Sequence, residues 1–136
     1  QALCWTSVWD MTRDGELVMA FGTPGSDAQT QVMTQVFLNI LEFGMDPQQA
    51  VEASRFITLS HPESGHPHHA EPGRLELERG FEPGVGEALS RLGHDVHRWE
   101  WDTETGSGPC AILVDSRHGT LIGGADPRRD SYAIGW

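Results

Sequence analysis

Three short clusters in this 136-residue chain combine residues that can do chemistry. The first is Gly22-Thr23-Pro24-Gly25-Ser26-Asp27, which leads from an apolar, strand-like stretch into an amphipathic helix. A glycine-containing loop that opens a helix presents backbone N–H groups to something negative. Three occupants are open: a phosphate, a developing oxyanion, or a capping side chain of the helix itself. The phosphate is excluded, because the chain has neither Gly-x-Gly-x-x-Gly nor Gly-Lys-Ser/Thr and all nine of its cations are arginine. Capping is satisfactory, since Ser26 or Asp27 can accept from the free N–H groups of the first turn. A backbone anion site with Gly25 and Ser26 as donors is the other reading.

The second cluster is His61, Glu63, His66, His68 and His69 within "HPESGHPHH". Imidazoles and a carboxylate this close can bind zinc, but their spacing matches no strict ligand pattern. A polar surface loop, or one facing a substrate, has the same composition. The third is "ADPRRD", with Asp126, Arg128, Arg129 and Asp130 close together. It reads first as an exposed ion-pair loop, each pair contributing less than about 1 kcal/mol. An arginine turned inward to order a site is the alternative. Trp99 and Trp101 share one face of a strand and read as core or interface. His94 and His97 flank that strand without an evident partner. No Gly-x-Ser-x-Gly follows a strand, so a nucleophile elbow is absent, and the absence of lysine removes Schiff-base chemistry.

These clusters need elements to hold them. Thr6–Met11 and Glu16–Phe21 read as two strands joined by a turn at Thr12-Arg13-Asp14-Gly15. Val32, Met33, Val36, Phe37, Ile40 and Leu41 recur at helical spacing, and Gly44 stops that helix. Asp46-Pro47-Gln48-Gln49 combines an N-cap, a proline at N1 and a glutamine at N3, which predicts a short helix to about Ser54. Thr58–Gly73, rich in His, Pro, Gly and Glu, reads as a long irregular loop. Beyond it come a strand at Arg74–Glu78 with Leu75 and Leu77 on one face, and a helix at Pro83–Leu92. Strands follow at Asp95–Trp101, Cys110–Asp115 and Leu121–Ala125, then a loop-like tail. Mixed helices and strands with hairpins at both ends predict an α+β fold in layers around an antiparallel-rich sheet. Residues 1–136 read as a single domain.

Nine basic against twenty acidic residues give a net charge of −11, which argues against a nucleic-acid or anionic-membrane partner. No stretch approaches the apolar length of a membrane span. Cys4 and Cys110 are too few for a disulfide framework and do not fix the compartment. Gln1-Ala2-Leu3 is not a translation start, so a processed chain or a fragment is expected.

Taken in order, "DG", "FGTPGSD", "TQVFLNILEFGMDPQQAVEASRF", "HPHHAEPGRLELERGF", "LSRLGHDV" and "ADPRRD" resemble the C-terminal part of the small subunit of γ-glutamyltransferases. The acylase- and amidase-like branch of that family is the nearer match. The resemblance is collinear from about Met11 onward.

The resemblance implies an N-terminal-nucleophile (Ntn) hydrolase with an αββα sandwich, made as a precursor that cuts itself into a large and a small subunit. The new N-terminal threonine attacks the substrate amide with its own α-amine as base, and no cofactor or metal is needed. That threonine lies upstream of this chain, so the partners implied are the large subunit, the start of the small subunit and a small-molecule amide. The family's Pro-Gly-Gly, whose backbone N–H groups form the oxyanion hole, falls on Pro24-Gly25-Ser26. The catalytic expectation is therefore Gly25 and Ser26, with serine where the family has a second glycine. The family's Ser-Ser pair, which binds the γ-glutamyl carboxylate, falls near Cys4-Trp5. Neither residue reproduces two hydroxyls, which points to another amide or acyl group as substrate. Cys4 as a trimmed nucleophile conflicts with the family order. Two other readings stand beside the enzyme: a non-catalytic relative kept as a binding or scaffold protein, and a metal-binding module built on His61–His69.

Overall fold

The computed structural model describes residues 6–99 and 107–135. Cys4, Trp5 and Trp101 lie outside them. The elements are β1 (Thr6–Arg13), β2 (Glu16–Pro24), a 3-10 turn (Ser26–Ala28), α1 (Gln29–Leu41), α2 (Pro47–Glu52), β3 (Phe56–Thr58), β4 (Arg74–Glu78), α3 (Pro83–Arg91), β5 (Asp95–Trp99), β6 (Cys110–Asp115) and β7 (Thr120–Ala125). They form an antiparallel sheet in the order β1-β2-β6-β7 and a smaller mixed sheet in the order β3-β4-β5.

The β1–β2 hairpin is tighter than the sequence reading expected. Thr12 and Arg13 still pair with Leu17 and Glu16, so the turn is the Asp14-Gly15 pair alone, both with positive φ. That dipeptide suits a two-residue hairpin whose twist matches its strands. At its other end β2 continues through Pro24, so the first half of the expected loop is strand. Met19, Phe21 and Thr23 alternate onto the buried face.

Helix α1 lays Val32, Met33, Val36 and Ile40 on that face, and α2 adds Ala50 and Val51. Asp46 and Gln49 form the expected capping box, with Pro47 at the first helical position. The start of α2 presses on β7 at Gly124, where a Cβ would lie 2.4 Å from the Pro47 carbonyl carbon. Any larger residue there would separate helix from sheet.

The second sheet is fastened to α1 through glutamines. Gln31 accepts from Thr58 N–H at 2.8 Å and donates to Thr58 O at 3.1 Å. Gln35 treats Phe56 the same way, at 3.0 and 2.8 Å. The match is geometric: four helical residues rise about 6.0 Å and two strand residues about 6.6 Å. An i, i+4 glutamine pair thus replaces a neighbouring strand along the open edge of β3. Gln48 repeats the device on Ala125, accepting from its N–H at 3.1 Å and donating to its carbonyl at 3.0 Å.

Strand β4 departs from its expected one-faced pattern. Glu76 and Glu78 are buried along with Leu75 and Leu77. It is the central strand of its sheet, with β5 parallel to it across α3, and such strands are covered on both faces.

Candidate active site

The chain leaves β2 through a pair of peptide planes whose orientations are both fixed. Thr23 is fully buried, and its hydroxyl donates to the Pro24 carbonyl at 2.8 Å. The peptide bond is planar and trans, so holding the Pro24 carbonyl points the Gly25 N–H the opposite way. One residue on, the Gly25 carbonyl accepts from Ala28 N–H at 3.0 Å, which likewise turns the Ser26 N–H outward. A ψ of 23° at Gly25 keeps the two successive nitrogens on one side of the chain. Among the described residues no hydrogen bond engages either N–H. Both lie just ahead of the N-terminal end of the 13-residue α1, where the helix dipole adds partial positive charge.

The two positions tolerate different residues. Gly25 has φ 129°, and a Cβ there would lie 2.1 Å from the Ser107 hydroxyl, so glycine is required. Ser26 has φ 49°, inside the small left-handed region that a short polar residue reaches at a cost of about 1–2 kcal/mol. Serine at the second position is compatible with the loop.

The capping reading is not what the structure contains. Neither the 3-10 turn nor α1 has a side-chain cap, and the residue at the α1 N-cap is Ala28. Asp27 instead accepts from Ser64 N–H, at 3.1 and 3.2 Å to its two oxygens. Its carboxylate is used to tether the His-rich loop. Within that loop His68 Nδ1 lies 2.8 Å from the Glu63 carbonyl, and the His66 and His68 rings meet edge to face at 5.9 Å. Among the described residues no three His, Cys, Asp or Glu side chains are placed to hold a metal ion.

The "ADPRRD" segment is likewise corrected: it is not an exposed ion-pair loop. Arg128 grips Glu78 with both arms of its fork, at 2.6 and 2.8 Å, and reaches Asp126 at 3.0 Å. Its Nη atoms also donate to the carbonyls of Val51, Glu52 and Ala53 at the end of α2. Arg55 completes the group, with Nη1 2.7 Å from Asp126 Oδ2 and its main chain paired to Glu78. All four side chains are at most 1% exposed. Burial lowers the Arg55 pKa, the charge of Arg128 adds to that, and Asp126 opposes it. Asp126 N–H in turn binds the Pro109 carbonyl at 3.0 Å. The network thereby joins α2, β4 and the segment that enters β6 behind the Gly25 loop.

Gly25 and Ser26 lie on one turn, and the supports of that turn are not legible in the sequence. Thr23, whose oxygen also accepts from Gly108 N–H at 3.1 Å, was legible only as a β-branched strand residue. Arg55 and Glu78 gave no signal, since nothing local marks a pair 23 residues apart as partners. Cys4 and Trp5 fall outside the described residues and are not placed relative to the loop.

Chemically, the turn can stabilise negative charge developing on one oxygen. Among the described residues no serine, threonine or cysteine side chain is hydrogen-bonded to a histidine, so a nucleophile–imidazole pair does not accompany it. The chain is 33% identical over 124 residues to the Glutathione hydrolase-like YwrD proenzyme of Bacillus subtilis, covering 90% of this chain and 22% of that protein. It is 33% identical over 122 residues to the Acylase ACY 1 proenzyme of a Pseudomonas species, covering 90% and 19%. The cephalosporin acylase structure from Bacillus halodurans superposes with a TM-score of 0.77 at 27% identity, over 92% of this chain and 21% of that one. The chain thus spans about a fifth of the length of these relatives. The family model described as Gamma-glutamyltranspeptidase matches residues 6–136, and with two sheets of the Ntn-hydrolase type the chain belongs to that family of hydrolases and acyltransferases.

Proposed function

We propose that this chain is the C-terminal portion of the small subunit of an Ntn amidohydrolase or acyltransferase, and that it supplies the oxyanion loop. The substrate is a γ-glutamyl or related amide. The nucleophile is the N-terminal threonine of the same subunit, which lies outside this chain, and the large subunit from the same precursor completes the site. The threonine hydroxyl adds to the amide carbonyl carbon while its own α-amine takes the proton. The carbonyl oxygen becomes an alkoxide held by Gly25 and Ser26 N–H. Collapse of that intermediate breaks the C–N bond, the protonated amine returns its proton to the leaving nitrogen, and an ester remains for water or an acceptor amine.

One observation carries the proposal: both peptide planes are fixed through their carbonyls, by Thr23 and by Ala28, with the two N–H groups left without a hydrogen bond among the described residues. Such preorganised donors need no reorientation as charge develops, and removing one from an oxyanion hole typically costs about 2.7–4 kcal/mol.

The test is an ester in place of one amide in the intact, processed protein. Glycolate at position 25 replaces that N–H with oxygen and leaves the side chain unchanged. The acylation rate should fall by about 10²–10³ with folding retained. A rate within a few-fold of the unmodified protein would remove the oxyanion assignment.

A further inference from the structure

We propose that Ser107 is a positioning residue for the oxyanion loop, holding Gly25 in the one conformation that aims the two donors. The proposal rests on the oxyanion reading above and adds a residue that touches neither donor.

Ser107 is fully buried, has φ 62°, and its hydroxyl has no hydrogen-bond partner among the described residues. A left-handed backbone and an unpaired buried hydroxyl are both unfavourable, and they coincide at one residue. Such local strain persists only where the surroundings over-determine it, and it concentrates at functional sites. Here the hydroxyl oxygen lies 2.1 Å from the position a Gly25 Cβ would occupy, with the Ser107 Cβ at 3.0 Å. The oxygen therefore sits against the Gly25 Cα–H and fills the space through which a glycine would otherwise swing.

Ser107 cannot retreat from this contact. Its carbonyl accepts from Arg129 Nε at 3.4 Å, and the adjoining Gly108 packs so closely on Arg129 that a Cβ there would lie 2.4 Å from Cγ. Gly108 N–H is bonded to Thr23 Oγ1, the same atom that orients the Pro24–Gly25 peptide. The loop is thus held at its carbonyls by Thr23 and Ala28, and at its α-carbon by Ser107. Without the last contact Gly25 regains the freedom that a residue with no Cβ has.

The experiment uses the intact, processed protein and four variants: Ser107→Ala, Ser107→Gly, Gly25→Ala and the double variant Gly25→Ala/Ser107→Gly. Single-turnover acylation, KM and thermal midpoint are measured for each, beside the ester at position 25. Ser107→Ala and Ser107→Gly should lower the acylation rate by roughly 10–100-fold, the size of effect a small misplacement produces. KM should hold and the thermal midpoint should stay or rise, because glycine suits φ 62° and alanine removes an unpaired hydroxyl. Gly25→Ala alone should be worse than either. Adding Ser107→Gly to it should recover part of the rate, although Ser107→Gly is harmful by itself. A merely structural serine gives no such reversal.

Normal acylation in both Ser107 variants, with the ester inactive, overturns the role of Ser107 and leaves the oxyanion loop standing. Loss of rate together with a lowered midpoint and no recovery in the double variant also overturns it. An ester of normal rate overturns the loop assignment and this proposal with it.

Discussion

Arg128→Ala decides between an exposed ion-pair loop and a buried network. The guanidinium makes three contacts to carboxylate oxygens of Glu78 and Asp126, and three to main-chain carbonyls at the end of α2. Among the described residues, removing it leaves two buried carboxylates facing one cation, Arg55, so a balanced group of two positive and two negative charges becomes net negative. Breaking one partner out of a buried pair costs about 3–5 kcal/mol. The α2 carbonyls are orphan acceptors of a helix end, and losing their donors adds roughly 1 kcal/mol each where water does not replace it. The same change in a surface loop would cost less than about 1 kcal/mol. A domain stable by about 5–15 kcal/mol would be seriously weakened by the first outcome and indifferent to the second. Arg128→Lys keeps the charge but not the bidentate fork, and should fall between wild type and alanine. The assay is hydrogen exchange of peptides covering residues 46–54 and 74–80 in the intact protein, read as local opening free energies. An opening free energy for Arg128→Ala within about 1 kcal/mol of wild type would refute the buried-network reasoning.

Three smaller tests address the rest of the frame. Gln35→Leu removes both bonds to Phe56 and should raise exchange at residues 56–58, with a stability loss of about 1 kcal/mol because the contact is exposed; unchanged protection would show that the edge needs no side-chain partner. Ser26→Gly should keep acylation at the wild-type level, since φ 49° suits glycine, whereas Ser26→Val should abolish it through a β-branched residue in the left-handed region. The Asp115 carboxyl is held below its usual range, first by the hydrogen bond to His118 and then by the N–H groups of Arg117 and His118. A depressed folded pKa stabilises above the unfolded value of about 3.9 and is lost as pH falls through the folded one. Carboxyl NMR should therefore show Asp115 titrating below the ordinary aspartate value of about 3.9, and a titration at that value would contradict the His118 contact.

Local signals were legible in the sequence. The apolar spacing of Val32, Met33, Val36 and Ile40 marked the buried face of α1, and the Asp46–Gln49 box marked the start of α2. Both depend only on neighbours within a turn or two. What escaped was pairing at a distance. Gln31 and Gln35 read as the polar face of a helix, yet they act as the missing neighbour of β3. Arg128 read as solvated because charged residues usually are, but its partners lie 50 and 77 residues away. Glu78 occupies an alternating strand pattern whose polar positions normally face water, and only the coverage of β4 on both faces overrides this. Composition carries no record of such coincidences.

The Gly25 turn owes its free donors to its own backbone rather than to the lack of a cap. A side chain capping from Ser26 or Asp27 would accept from N–H groups two or three residues further on, not from those of Gly25 and Ser26. Asp27 does not cap in any case, since its carboxylate lies on Ser64, 37 residues further along. Rotating either peptide plane would forfeit a carbonyl hydrogen bond, to Thr23 or to Ala28, each contributing about 1 kcal/mol. The left-handed Ser26 and the packed Ser107 add cost on the same side, incurred once as the chain folds rather than at each turnover. Free donors held in place by bonds to the opposite ends of their own peptides are what a developing oxyanion requires.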